Sequence, residues 1–271
     1  MPETVFITGA ARGIGRATAL AFAATGANLL LTDIGEQIEE CPYPLGTLEE
    51  LDDTAGRCGA LGSKVATVAA DVRSQAALDA AVAHCHEQLG PVGILVNNAG
   101  LVGPAGAPAH ELDERAWSVM IDVDLGGVWR AAKAVLPDMV RARNGAIVNV
   151  ASTAGLVAFP FFANYVAAKH GVIGLTRALA LDYAAYSIRV NAVCPTSVAD
   201  EAELDSAMLA GVAGMLGVDP VDYEALSLPH HPQGALARAG EIADTIVWLA
   251  SASASRITGA AVPVDAGFTA R

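Results

Sequence analysis

This chain of 271 residues is poor in aromatic side chains, poor in positive charge and without a patterned set of cysteines. Aromatics make up 5% of it, so a core has to be built mainly from Ala, Val, Leu and Ile. Lysine and arginine number 16 against 29 acidic residues, for a net charge of −13. That balance argues against nucleic acid and against an acidic membrane surface as partners, and its plain meaning is solubility. The four cysteines, Cys41, Cys58, Cys85 and Cys194, form no C-x-x-C pair and no dense framework. No uninterrupted apolar run reaches the roughly 18 residues that suggest a membrane span. The chain enters a strand by Val5, which leaves no room for a signal peptide. The expectation is a cytoplasmic protein with reduced thiols. His84-Cys85-His86 invites a metal reading, but adjacent positions on a helix face different ways, so a chance surface cluster is expected and no metal.

What the chain does have is glycine in a particular context. Val5-Phe6-Ile7-Thr8 reads as a short apolar strand, T-G-A-A-R-G-I-G follows from Thr8 to Gly15, and a helix runs on through Ala24. Gly9, Gly13 and Gly15 let the backbone turn tightly and approach a pyrophosphate, and the helix start offers free N–H groups and a positive dipole end. A strand before and a helix after are the context that gives such a turn meaning. A second strand, Asn28 to Thr32, delivers Asp33 about 20 residues beyond the turn, where a carboxylate would bond the adenosine ribose hydroxyls and repel a 2′-phosphate. Arg12 pulls the other way, as a cation able to accept that phosphate. Asp33 carries more weight, and NAD rather than NADP is expected.

Farther on, V-N-V-A-S-T-A-G ends at Gly155 and A-N-Y-V-A-A-K-H-G at Gly171. Tyr165 and Lys169, four apart, project from one face of a helix. A free phenol, with a pKa near ~10, is a poor base at neutral pH. A neighbouring ammonium favours the phenolate and brings it into a useful range. Ser152, just after an apolar strand, is placed to hydrogen-bond a substrate oxygen. Together the three can move a proton at an alcohol carbon; the bland alternative is an exposed amphipathic pair.

Strands are expected near residues 4–8, 27–33, 64–70, 92–97, 145–151, 188–194 and 260–264, with periodic helices between most of them. That alternation implies a single α/β domain over 1–271, a doubly wound parallel sheet of Rossmann type with ligand at the carboxyl ends of its strands. Two stretches interrupt the pattern. Residues about 35–56, with two prolines and a tyrosine, read as an ordered inserted loop. Residues about 196–234 hold M-L-A-G-V-A-G-M-L-G-V and read as a helical substrate lid, or else as a surface that packs on a partner. His230 and His231 lie in a Pro-flanked loop on the substrate side, and His170 is a neighbour of Lys169.

These motifs, in this order and spacing, resemble the short-chain dehydrogenase/reductase family over nearly the whole chain. The matching segments are T-G-A-A-R-G-I-G, Asp71-Val72, N-N-A-G from Asn97 to Gly100, the Ser152, Tyr165 and Lys169 set, I-R-V-N-A-V-C-P through Pro195, and I-T-G-A-A-V-P-V-D-A-G through Gly267. The resemblance implies that Asp71 lies near the adenine and that Asn97, Asn98, Ala99 and Gly100 line the cofactor cleft. It further implies that Val198 contacts the nicotinamide amide, that Tyr165 is the acid/base, that Lys169 holds the ribose and lowers the tyrosine pKa, and that Ser152 orients the carbonyl. A homotetramer is implied by the same analogy. The insertion ending in Y-P-L, with Y-V-A-A-K-H-G, P-T-S-V and P-V-D-A-G, is similar to the mycofactocin-coupled, carveol-dehydrogenase-like subgroup. Its members are thought to hold NAD without exchange, which implies a redox partner that re-oxidises the bound NADH. Ile14 stands where that subgroup usually has glutamine.

Two departures bear on chemistry. Asp124 occupies the position of the family's asparagine, which holds a water that relays protons to the lysine. A carboxylate there accepts hydrogen bonds but donates none unless protonated, and it favours the Lys169 ammonium. Either the relay survives with altered pH dependence or the enzyme is crippled. Asp200 stands where relatives often have a threonine near the nicotinamide amide. The expected activity is NAD-linked interconversion of an apolar, cyclic or terpenoid, secondary alcohol and its ketone, the apolar character resting on the lid and on Phe159, Phe161 and Phe162. Alternatives are a 3-oxoacyl-thioester reductase, opposed by Asp33 and the acidic surface, a carbohydrate dehydrogenase, opposed by the apolar lid, and a nucleotide-binding protein with impaired catalysis, supported by Asp124.

Overall fold

The computed structural model describes residues 3–204 and 208–270. Its centre is a seven-stranded parallel sheet made of β1 (Thr4–Thr8), β2 (Asn28–Asp33), β3 (Val65–Ala69), β4 (Ile94–Asn97), β5 (Gly145–Val150), β6 (Ile188–Pro195) and β7 (Ala261–Val264), in the order β3-β2-β1-β4-β5-β6-β7. The strands read as continuous apolar runs because both faces are covered. Along β1 the side chains alternate between two cores: Val5 and Ile7 join Leu29, Leu31, Ile94 and Val96 on one side, and Phe6 joins Leu30 and Leu95 on the other. Helices α1 (Gly13–Ala24) and α9 (Ala239–Ala250) close the first side. Helices α3 (Gln75–Gln88), α4 (Glu114–Ile121), α5 (Val128–Ala142) and α6 (Ala163–Asp182) close much of the second. Among the described residues no helix is long and apolar enough to cross a membrane.

Strand order reverses between β1 and β4, and the crevice at that switch point is where such sheets take their ligand. The Asn98 amide ties the two strand ends together, donating to the carbonyls of Thr8 at 3.1 Å and Gly9 at 2.8 Å. Buried Arg16 fixes the glycine turn from behind. Its Nε donates to the Ala11 carbonyl at 3.0 Å and to Thr54 at 2.9 Å, and Thr54 lies on α2 (Leu48–Ala60).

Among the described residues both irregular stretches hold regular structure. The insertion is shorter than expected: a Thr47–Glu50 capping box starts α2 at Leu48, so the irregular part is residues 34–47. Gln37 organises it by donating to the carbonyls of Ile38, Cys41 and Tyr43 and accepting from the Leu45 N–H. The stretch after β6 holds α7 (Met208–Leu216) and α8 (Pro220–Ser227). His84-Cys85-His86 is not a surface cluster, because Cys85 is fully buried in the core. His86 Nε2 instead lies 2.6 Å from the buried Asp138 carboxylate.

Candidate active site

A cleft of about 890 Å³ opens at the carboxyl ends of the strands. One arm is lined by Gly9, Arg12, Gly13, Ile14, Asp33, Asp71, Val72, Asn98, Ala99 and Gly100, the other by Ser152, Tyr165, Pro195 and Val198 with residues of the α7–α8 stretch. Lys169 also lines it. Asn97 does not: its amide donates to Asn149 at 2.9 Å inside the sheet.

The turn after β1 suits a pyrophosphate. Gly9 has φ +65°, and a Cβ there would come within 2.8 Å of the Ala99 backbone. A Cβ on Gly15 would stand 1.9 Å from the Gly9 carbonyl oxygen. Arg12, which precedes α1, makes no side-chain cap, and no acidic side chain occupies the first turn. The N–H groups of that helix start are therefore not capped by Arg12, the arrangement a phosphate uses.

Asp33 ends β2 beside this turn. Its Oδ2 accepts from the Ala11 N–H at 3.0 Å and its Oδ1 from the Ile34 N–H at 2.9 Å. Burial raises its pKa above the ordinary carboxylate value, opposed by those two N–H groups and by Arg12. The Arg12 guanidinium donates to the Pro44 carbonyl of the insertion. Asp71 is held by Arg73, with Nη2 2.7 Å from its Oδ2.

At the other end, β5 delivers Ser152 and α6 delivers Tyr165 and Lys169. Ser152 Oγ accepts from the Ala154 N–H at 3.0 Å, and the Ser152 hydroxyl favours the Tyr165 phenolate. Lys169 Nζ lies 5.5 Å from the Tyr165 ring centroid, donates to the Val150 carbonyl at 3.2 Å, and stands 3.0 Å from Asp124 Oδ2. Asp124 sits in a π-helical turn (Asp122–Gly127) between α4 and α5, fully buried, with Oδ1 accepting from the Leu101 N–H at 2.7 Å. Such a turn re-aims side chains inside an otherwise regular helix, a device common at functional sites.

Lys169 acts on Tyr165 in the expected direction: its ammonium pulls the phenol pKa down, although burial outweighs it and leaves the phenol above its usual range. Burial also disfavours the Lys169 ammonium, but Asp124, then Tyr165, overcome it and hold Lys169 above its ordinary pKa. Asp124 is raised by its own burial, against Lys169 and the Leu101 N–H. The pair is an ion pair removed from water.

The apolar wall differs in part from the sequence expectation. Phe159 and Phe162 line the cleft, whereas Phe161 is 52% exposed with φ +68° and turns outward. Phe268 takes its place, stacked on Phe159 with centroids 5.7 Å apart. Three residues before the last and outside any periodic pattern, Phe268 gives no local signal in the sequence. His231 is buried against it, with Nδ1 2.9 Å from the Ser227 carbonyl and Nε2 2.9 Å from the Thr196 hydroxyl. The carbonyl only accepts, so Nδ1 carries a proton. His230 lines the cleft nearby, while His170 is exposed. Asp200 lines the cleft and uses its carboxylate to cap α7, accepting from the N–H groups of Leu209 at 3.1 Å and Ala210 at 3.0 Å.

A parallel, doubly wound sheet with its cleft at the switch point defines a Rossmann-type protein, and the family follows from comparison. Residues 3–207 match the short chain dehydrogenase family model. The chain belongs to the short-chain dehydrogenase/reductase family of oxidoreductases. It is 37% identical to (−)-trans-carveol dehydrogenase of Rhodococcus erythropolis, over 98% of this chain and 97% of that protein. It is 39% identical to cis-4-hydroxycyclohexanecarboxylate dehydrogenase of Sinomonas cyclohexanicum, over 97% and 95%. The solved carveol dehydrogenase of Mycobacterium avium, in complex with NAD, superposes with a TM-score of 0.92 at 37% identity, covering 99% of this chain and 98% of that one.

Proposed function

We propose that this protein is an NAD-linked dehydrogenase that interconverts an apolar, cyclic secondary alcohol and its ketone. The observation that carries this reading is the meeting of Ser152, Tyr165 and Lys169 in one cleft whose far wall is built from Phe159, Phe162, Phe268, Val212 and Leu216. The start of α1, without a side-chain cap, the glycine turn and the Asp33 carboxylate suit NAD, and Asp33 beside Arg12 opposes the 2′-phosphate that the guanidinium alone would accept. NAD, when bound, supplies the hydride acceptor.

In alcohol oxidation the Tyr165 oxygen takes the substrate hydroxyl proton. The Ser152 hydroxyl donates to the same substrate oxygen and orients it. Lys169 stabilises the phenolate electrostatically and lies against the cleft where the nicotinamide ribose would sit, while Asp124 sets the orientation and charge of Lys169. Helices α7 and α8 act as the lid over the apolar arm. Resemblance of the 34–47 insertion to that of the mycofactocin-coupled subgroup supports a cofactor held through many turnovers and re-oxidised in place by a redox partner. A homotetramer rests on the family analogy, and exposed Trp117 and Trp129, on α4 and α5, are compatible with subunit contacts there.

The test is NADH formed per active site by purified protein with excess NAD and a panel of cyclic and linear secondary alcohols. One equivalent that stops and then resumes with an artificial electron acceptor is expected. Production far beyond one equivalent would show that the cofactor exchanges freely and would overturn the trapped-cofactor reading; silence with every alcohol would exclude the panel as substrates.

A further inference from the structure

Five consecutive residues of the insertion, 42–46, touch both arms of the cleft. At the nucleotide end Pro44 receives Arg12, and a Cβ on Gly46 would lie 2.9 Å from Ala11 Cβ and 3.1 Å from each carboxylate oxygen of Asp33. At the substrate end the Val102 N–H donates to the Tyr43 hydroxyl at 2.8 Å. The Tyr43 ring lies so close to α7 that a Cβ on Gly211 would stand 3.2 Å from it. A Cβ on Gly103 would meet Met215 of α7 at 2.3 Å and Pro42 at 3.0 Å, so these two side chains converge over a glycine that leaves them room. The four bonds made by Gln37 hold the insertion as one body. Moving Pro44 and Gly46 away from Asp33 therefore moves Pro42 and Tyr43 away from α7.

We propose that Tyr43 is a positioning residue that joins the nucleotide arm to the lid helix α7, so that nucleotide release and lid opening are one event. The inference rests on the reading of this cleft as a site for NAD and an alcohol. Coupling of this kind is reciprocal: bound nucleotide holds α7 closed, and whatever holds α7 closed slows nucleotide release.

Amide hydrogen exchange tests it, on protein stripped of nucleotide and on the same protein reloaded with NAD, in the wild type, Tyr43→Phe and Tyr43→Ala. Without NAD, Tyr43→Phe is expected to speed exchange across residues 208–216 about 2–10-fold, the size of one hydrogen bond, while the β2 amides keep their protection and show that the fold is intact. With NAD, the wild type gains protection at both residues 9–16 and residues 208–216; Tyr43→Ala keeps the first and loses most of the second. Met215→Ala, a change on the lid alone, is expected to speed release of labelled NAD several-fold. Protection of residues 208–216 that ignores both Tyr43 substitutions, with NAD still protecting residues 9–16, overturns the joint. Absence of any NAD protection at residues 9–16 in the wild type overturns the reading of the cleft itself. Release of NAD from Met215→Ala at the wild-type rate overturns the coupling.

Discussion

Asp124 Oδ2 lies 3.0 Å from Lys169 Nζ, with both groups withdrawn from water. Asp124 is the charge that holds the lysine pKa up, and it also raises the Tyr165 phenol. Asp124→Asn removes it, so both pKa values fall. Alcohol oxidation needs the phenolate, and its rate rises with pH through the phenol pKa. The rising limb of the kcat–pH profile is therefore expected to move toward lower pH in Asp124→Asn, by about one unit. An unmoved profile would show that the carboxylate is not coupled to the acid/base group. A large gain in turnover at neutral pH would mark the natural aspartate as disabling.

Asp124→Ala goes further, leaving Lys169 buried without its partner and the Leu101 N–H without an acceptor. Removing one member of a buried pair costs about 3–5 kcal/mol. Asn keeps an acceptor for Leu101 and is expected to lose less. Urea unfolding of the two variants side by side gives the comparison.

Tyr165→Phe is expected to lower turnover by about 10²–10⁴-fold, the usual contribution of a positioned acid/base. The ring and its packing stay, so NAD affinity measured by calorimetry should hardly change. Equal loss of binding and turnover would place Tyr165 in the scaffold instead.

Asp33→Ser removes the carboxylate that would repel a 2′-phosphate, while its hydroxyl retains an acceptor for the Ala11 N–H. The ratio of kcat/KM for NAD over NADP is expected to drop at least about tenfold, or ~1.4 kcal/mol. A constant ratio would move cofactor choice elsewhere in the cleft.

Gly15→Ala places a Cβ 1.9 Å from the Gly9 carbonyl oxygen, a clash between backbone and side chain that no rotamer relieves. The turn must open, and loss of measurable NAD binding together with a lower Tm is expected. Gly26→Ala, where φ is +81° but nothing lies within 4 Å, serves as the control: it strains the backbone and should leave NAD binding intact.

Much of the molecule was legible before any coordinates. The strand positions agree with the structure to within one or two residues, because a buried parallel strand is a local apolar run bounded by turns. The glycine turn and the four-residue spacing of Tyr165 and Lys169 are equally local. The insertion ends near Y-P-L, as its motif implies, and the Thr47–Glu50 capping box, a local signal, closes it at residue 47 rather than 56. Phe161 shares an apolar run with Phe159 and Phe162, but its left-handed backbone points it outward.

The amino-acid sequence by itself determined the alternating fold, the nucleotide turn and the identity of the acid/base set, since each is written in residues close together in the chain. Only the tertiary structure decided what surrounds those groups. Tyr43 reaches Val102 across 59 residues, Phe268 closes on Phe159, and His231 bridges back to Thr196. The direction of the Tyr165 pKa was decided in the same way. Spacing brings an ammonium near a phenol, but the cost of removing that phenol from water depends on everything packed around it, and that is set by packing between distant segments.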